Sequence, residues 1–194
     1  MIRARLADAL ARTPPPLLSG DYDPADPAMA EGVPAAVLVT VVDRAAPTLL
    51  LTRRADTLRR HAGQVAFPGG RIDPGDDGPV AAALREAEEE IGLPPAAVDI
   101  VGIADRYVTG TGFAVVPVVG IVAPDLPLVP HDAEVAELFE VPLDFAVDAA
   151  NHVPLTGEWQ GQMRRYYEIV WRDRRIWGAT AAMIVNLGRR LAHG

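Results

Sequence analysis

Leu84-Arg85-Glu86-Ala87-Glu88-Glu89-Glu90-Ile91-Gly92 is the stretch on which the reading of this chain turns. Wound into a helix of 3.6 residues per turn, Glu86, Glu89 and Glu90 fall at i, i+3 and i+4 and share one narrow face. Leu84, Ala87 and Ile91 fall at i, i+3 and i+7 on another side, an apolar stripe of mostly small residues that can lie close against a sheet. Unneutralised carboxylates repel one another, so the pattern predicts an acid face turned to a cleft or to solvent. Hard oxygen donors grouped this way suit Mg2+ or Mn2+, which take carboxylate oxygens and keep water and substrate phosphate as further ligands.

The ends of the helix are written beside it. Asp77-Gly78-Pro79 offers a cap candidate and then a proline for the first turn, where the missing N–H does no harm. Gly92 followed by Leu93-Pro94-Pro95 stops it. Taken alone, a Glu-rich run is most simply a solvated surface face. What precedes it changes that reading: Phe67-Pro68-Gly69-Gly70 follows a strand-like stretch, and two glycines let backbone approach a ligand or metal with no side chain in the way.

Glycine loop, acidic turn and carboxylate helix together resemble the Nudix box, G-x5-E-x7-R-E-U-x-E-E-x-G-U with U apolar. Gly70, Asp77, Arg85, Glu86, Ala87, Glu89, Glu90, Gly92 and Leu93 fill it, with two departures. Six residues, not five, separate Gly70 from Asp77, and an Asp stands where the pattern has Glu. The segment Leu50-Leu51-Thr52-Arg53-Arg54, with Leu58-Arg59-Arg60-His61-Ala62-Gly63-Gln64-Val65-Ala66 running into the glycines, is similar to the signature of the coenzyme A pyrophosphatase branch of that family.

The resemblance implies an α/β/α sandwich with a mixed sheet and water-driven hydrolysis of a phosphoanhydride. It makes Glu86 and Glu90 the main metal ligands, Glu89 a shared ligand or the base, and the Gly70 carbonyl a backbone ligand. Glu134 and Glu137 are candidates for an extra carboxylate supplied from a later loop. Arg53, Arg54, Arg59 and Arg60 cluster within an acidic chain; as a loop they could merely be solvated. Beside a glycine loop and an anionic metal site they read as a phosphate contact region. Arg53, Arg59, Arg60, His61, Arg71 and Phe67 are the candidate substrate contacts. The implied substrate is coenzyme A, giving 3′,5′-ADP and 4′-phosphopantetheine. A broader nucleoside diphosphate-X hydrolase and a non-catalytic nucleotide-sensing module are the alternatives.

Length and composition agree. The 194 residues, 49% hydrophobic and 23% charged, are expected to form one domain over 1–194, with an N-terminal helix and surface arm over 1–32. No stretch reaches the ~20 apolar residues of a membrane span. The absence of cysteine excludes thiolate chemistry and is compatible with the cytoplasm, the expected location. A net charge of −8 argues against general nucleic-acid binding, so the expected partner is a small nucleotide, with self-association into a homodimer left open.

Elsewhere the pattern predicts a helix over 2–12 and a hairpin of Ala35 to Val42 with Thr48 to Leu51. Strands are expected over 98–104, 113–122, 137–142 and 165–171, and a C-terminal helix carries Ala181, Ile184, Leu187 and Leu191 on one side. Pro117 should sit at an edge, bulge or break in its strand. Residues 149–163 read as a polar loop, a candidate wall for the substrate. Tyr166, Tyr167 and Trp177 read as packing residues or a base-stacking set.

Overall fold

The hairpin predicted at the start of the core forms as β1 (Val33–Val42) and β2 (Thr48–Arg54), paired from Thr40↔Leu50 to Val42↔Thr48. The computed structural model describes residues 1–21, 32–58, 61–159 and 162–193. Apolar residues on both faces of β1 serve two separate cores. Val39 and Val41 pack on one side, Ala36 and Leu38 on the other, as period-2 alternation in a doubly covered strand requires.

Three short pieces complete this end of the sheet. β3 (Val65–Ala66) pairs with β2, β4 (Gly69–Arg71) pairs with β1, and α2 (Gly78–Ile91) then crosses the face lined by Ala36 and Leu38; the N-terminal helix α1 is Ile2–Ala11. Ala82, Ala83, Ala87 and Ile91 of α2 are buried there. Small residues bring the helix axis close to the sheet, and burying Ile91 alone stabilises by about 2 kcal/mol. Gly92 ends the helix in the left-handed conformation, φ 65.

Strands β5 (Val98–Ile103), β6 (Tyr107–Val108) and β7 (Phe113–Val122) follow. β7 runs parallel to β1 along its whole length, from Val33↔Phe113 to Val42↔Val122, while the other pairings are antiparallel, so the sheet is mixed. Pro117 lies in the interior of β7, where its missing donor is harmless. β5 leaves the ladder after Val118 and β6 joins it only at Val115, and the Pro117 carbonyl accepts from Ala104 N at 2.8 Å. β8 (Val135–Pro142) adds to the free edge of β2, and α3 (Leu143–Val147) follows it directly.

The second face of the sheet is covered by α1, α3, α4 (Ala179–Ala192) and a separate three-stranded sheet. Ala181, Ile184 and Leu187 are buried, as the periodicity predicts. α4 also holds the N-terminal segment through Arg190 Nη1 to Ala9 O at 3.0 Å and Asn186 Nδ2 to Leu18 O at 2.8 Å. The layers are therefore those of an α/β/α sandwich. Among the described residues no helix is long and apolar enough to cross a membrane.

One expectation is corrected. Residues 149–163 are not a loop: Val153–Trp159 is strand β9, pairing with β10 (Gln162–Trp171), which pairs in turn with β11 (Arg174–Trp177). Pro154 and Gly157 hide this strand from propensity. It lies at the edge of its sheet, where proline is tolerated, and the Tyr166 ring lies over Gly157, 3.3 Å from where a β-carbon would stand. Tyr166 packs edge-on against Trp177, ring centroids 5.9 Å apart, and Tyr167 lies against the core.

The outer end of the hairpin carries a polar clamp. Arg44 donates to Glu140 at 2.8 and 2.9 Å and to Asp125 at 3.0 Å, and Thr48 also donates to Glu140. The Arg44 bonds first, and the Thr48 bond after them, hold the Glu140 carboxyl below its ordinary 4.5. A folded-state pKa below the unfolded one gives stability that is present above pH 4.5 and lost as pH falls through the depressed value. Glu140→Gln should therefore lower Tm at pH 6 and by progressively less as pH falls below 4.5, flattening the acid limb of a Tm-against-pH curve.

Candidate active site

Two glycines at the start of β4 set the site. A β-carbon on Gly69 would stand 2.6 Å from Val37 Cα and collide with the Ala36 carbonyl, so β4 reaches β1 only because residue 69 has no side chain. One on Gly70 would stand 2.7 Å from Glu86 Oε2, so the bare backbone at Gly70 is what faces the Glu86 carboxylate. From the next turn of α2, Glu90 accepts the Gly69 N–H at 3.3 Å and is only 4% exposed.

The acid face is thus split. Glu86 and Glu90 turn inward to the glycines, whereas the side chain of Glu89 is 60% exposed and held by Arg85 Nη1 at 3.1 Å. Burial pushes the Glu90 carboxyl up to about 7, offset in part by Arg54, whose Nη1 is 3.7 Å from Glu90 Oε1. Burial likewise raises Glu86, with Arg85 opposing. Glu134 adds to both shifts, which places its charge within electrostatic reach of the pair. It is brought there because the chain entering β8 is tied to the end of α2. Val129 N donates to Ile91 O at 3.0 Å and His131 N to Glu90 O at 2.8 Å.

Glu137 lies elsewhere. It points to the opposite face of the sheet, ion-paired with Arg174 and 3.8 Å from Arg53 Nε. The same alternation separates the neighbouring arginines. Arg53 follows Leu49 and Leu51 toward the α4 side, where it binds Asp56 at 3.0 and 3.1 Å; Arg54 follows Leu50 and Thr52 toward the acids. Of these two it is Arg54 that meets the site, and its Nε is buried with no hydrogen-bond partner among the described residues. Phe67, 3% exposed, is a core residue on the α4 side and has no surface to offer a substrate. Arg71 is exposed beside the Phe113 ring, and His61 bonds Gln64 through Nδ1 at 2.9 Å. Arg59 and Arg60 lie outside the described residues.

The extra residue in the box also finds its place. Asp76, not Asp77, takes the acid position: its carboxylate receives Arg85 Nε at 3.0 Å and Nη2 at 2.9 Å, and the Arg85 bonds first, then the Asp73 N–H, lower its pKa. Asp77 precedes α2 without a side-chain capping bond. Gly70 and Asp76 therefore keep the five-residue interval, and the insertion falls between Asp76 and Arg85. The clue in the sequence was the forward count from Gly70; the backward count from Arg85 selects Asp77. Arg85 joins Asp76, Glu86 and Glu89 in one network and also donates to Arg71 O at 3.1 Å. Asp76→Asn should lower kcat about tenfold by freeing Arg85, whereas Asp77→Asn should change it less than twofold, as steady-state kinetics would show.

The donors suit a divalent cation in kind. They are all oxygens, the Glu90 carboxylate is withdrawn from water and that of Glu86 partly so, and the glycine backbone lies beside them. Among the described residues no three acids or histidines already converge at metal-binding spacing.

Fold and site together define a class: a mixed α/β sandwich in which a glycine loop and an acidic helix form one box. A family model described as NUDIX domain matches residues 32–160. The chain is 48% identical over 157 residues to the uncharacterized Nudix hydrolase NudL of Cronobacter sakazakii, covering 81% of this chain and 82% of that one. It is 44% identical over 158 residues to NudL of Yersinia pestis, covering 81% and 79%. Among solved structures it resembles the Nudix hydrolase RenU of M. smegmatis, at 27% identity and TM-score 0.49 over 66% of this chain and 79% of that one. The chain belongs to the Nudix hydrolase family, whose members are pyrophosphohydrolases that generally use divalent metal ions.

Proposed function

We propose that this protein hydrolyses the diphosphate of coenzyme A and its derivatives, using Mg2+ or Mn2+, to 3′,5′-ADP and 4′-phosphopantetheine in the cytoplasm. The observation that carries the chemistry is the meeting of Glu86, Glu90, the Gly70 backbone and Arg54 at one place. Glu86, Glu90 and the Gly70 carbonyl would hold the metal. A divalent ion bound there neutralises diphosphate charge and lowers the pKa of an attacking water. Glu89 or Glu134 accepts the proton of that water as its oxygen bonds to phosphorus and the bridging P–O bond breaks. Arg54, its side chain 28% exposed beside Glu90, offers its guanidinium to phosphate oxygens.

The substrate rests on the branch signature from Leu50 to Gly70 and on a polyanion's fit to local arginines in an acidic chain. One observation favours the broader nucleoside diphosphate-X reading: Arg53 is engaged by Asp56 and Glu137, which leaves one cation fewer for a 3′-phosphate. The ratio of kcat/KM for coenzyme A to that for ADP-ribose at equal Mn2+ decides. A clear preference for coenzyme A supports the proposal; a preference for ADP-ribose overturns the substrate and leaves the chemistry.

A further inference from the structure

The described ends of the stretch that carries the branch signature are bonded to the catalytic framework. Arg54 N donates to Gln64 O at 2.9 Å and Gly63 N to Arg54 O at 3.2 Å, so the returning end of the excursion closes on the backbone of the arginine that faces Glu90. The first residue of the excursion, Ala55, donates its N–H to Glu134 O at 2.8 Å. Asp56 then sits between Arg53 Nη1, at 3.0 and 3.1 Å, and Gly63. Gly63 has φ +70, and a β-carbon there would stand 3.0 Å from Asp56 Oδ1. Asp56 is thus the chain neighbour of Ala55, whose N–H is bonded to the backbone that carries Glu134.

We propose that Asp56 and Gly63 are positioning residues: through Ala55 they hold Arg54 and Glu134 against the Glu86/Glu90 pair, so these two residues serve cleavage of every diphosphate substrate alike. This inference rests on the function proposed above. A loop that reads one substrate would change KM for that substrate, whereas a loop that orients the acid site changes kcat for all of them.

The test is the full chain with Mn2+, measuring kcat and KM for coenzyme A, dephospho-CoA and ADP-ribose in wild type, Asp56→Ala, Asp56→Asn and Gly63→Ala. Asp56→Ala should lower kcat by the same factor for each substrate that wild type cleaves, on the order of tenfold, with KM within about twofold and Tm unchanged. Asp56→Asn keeps an acceptor for Arg53 and should recover most of the loss. Amide exchange at Ala55, read by NMR, should speed up in Asp56→Ala, and Gly63→Ala should repeat the kinetic pattern. A loss confined to KM for coenzyme A, or unchanged kinetics in an active background, would overturn this proposal alone. Wild-type inactivity on all three would overturn the function with it.

Discussion

Glu90→Gln should reduce metal-dependent turnover on the order of a thousandfold or more while the protein stays folded. Among the described residues Glu90 is the most buried charged one, accepting from Gly69 N and meeting Arg54 only at 3.7 Å. Such a group costs desolvation energy and returns little of it in contacts. A carboxamide keeps the shape, still accepts the Gly69 N–H and removes the buried charge, so Tm at neutral pH should hold or rise. Loss of activity with no loss of Tm distinguishes a working ligand from a structural acid. Glu86→Gln should behave alike; near-normal kcat in both variants would sink the assignment of the metal pair.

The second large effect separates two adjacent glycines. In Gly70→Ala the new methyl meets the Glu86 carboxylate, the far end of a flexible side chain that can swing aside. The fold should survive with Tm within a few degrees, but Glu86 moves from its place, and kcat should fall about a hundredfold. In Gly69→Ala the methyl meets the Ala36 carbonyl and Val37 Cα, which cannot move without parting β1 from β4. That variant should lose on the order of 3 kcal/mol of stability, seen as a lower urea midpoint. Matched stability losses in the two variants would contradict this division of labour.

Much of the site is local and was therefore legible. The carboxylate spacing on α2, its stop at Gly92 and the glycines before it depend on residues a few turns apart, and the apolar runs of β1 and β7 announced buried strands. The arginines show where local reading fails. β2 is apolar on both faces, so alternation says that Arg53 and Arg54 part company without saying which one meets the helix. Only the packing of α2 decides, and it selects Arg54. Glu134 and Glu137 are parted because Glu134 lies in the turn before β8, whereas Glu137 lies within the strand opposite Arg53. Strand β9 was missed because its pairing with β10, not its own composition, makes it a strand.

The most direct measurement takes the wild-type protein stripped with EDTA and offers it coenzyme A, dephospho-CoA, ADP-ribose and NADH, without metal and with Mg2+ or Mn2+. Cleavage between the two phosphorus atoms is expected, with coenzyme A preferred, only when metal is restored, and it should be lost in Glu90→Gln. Cleavage that persists without metal or in that variant, or no cleavage of any of the four, would contradict that expectation.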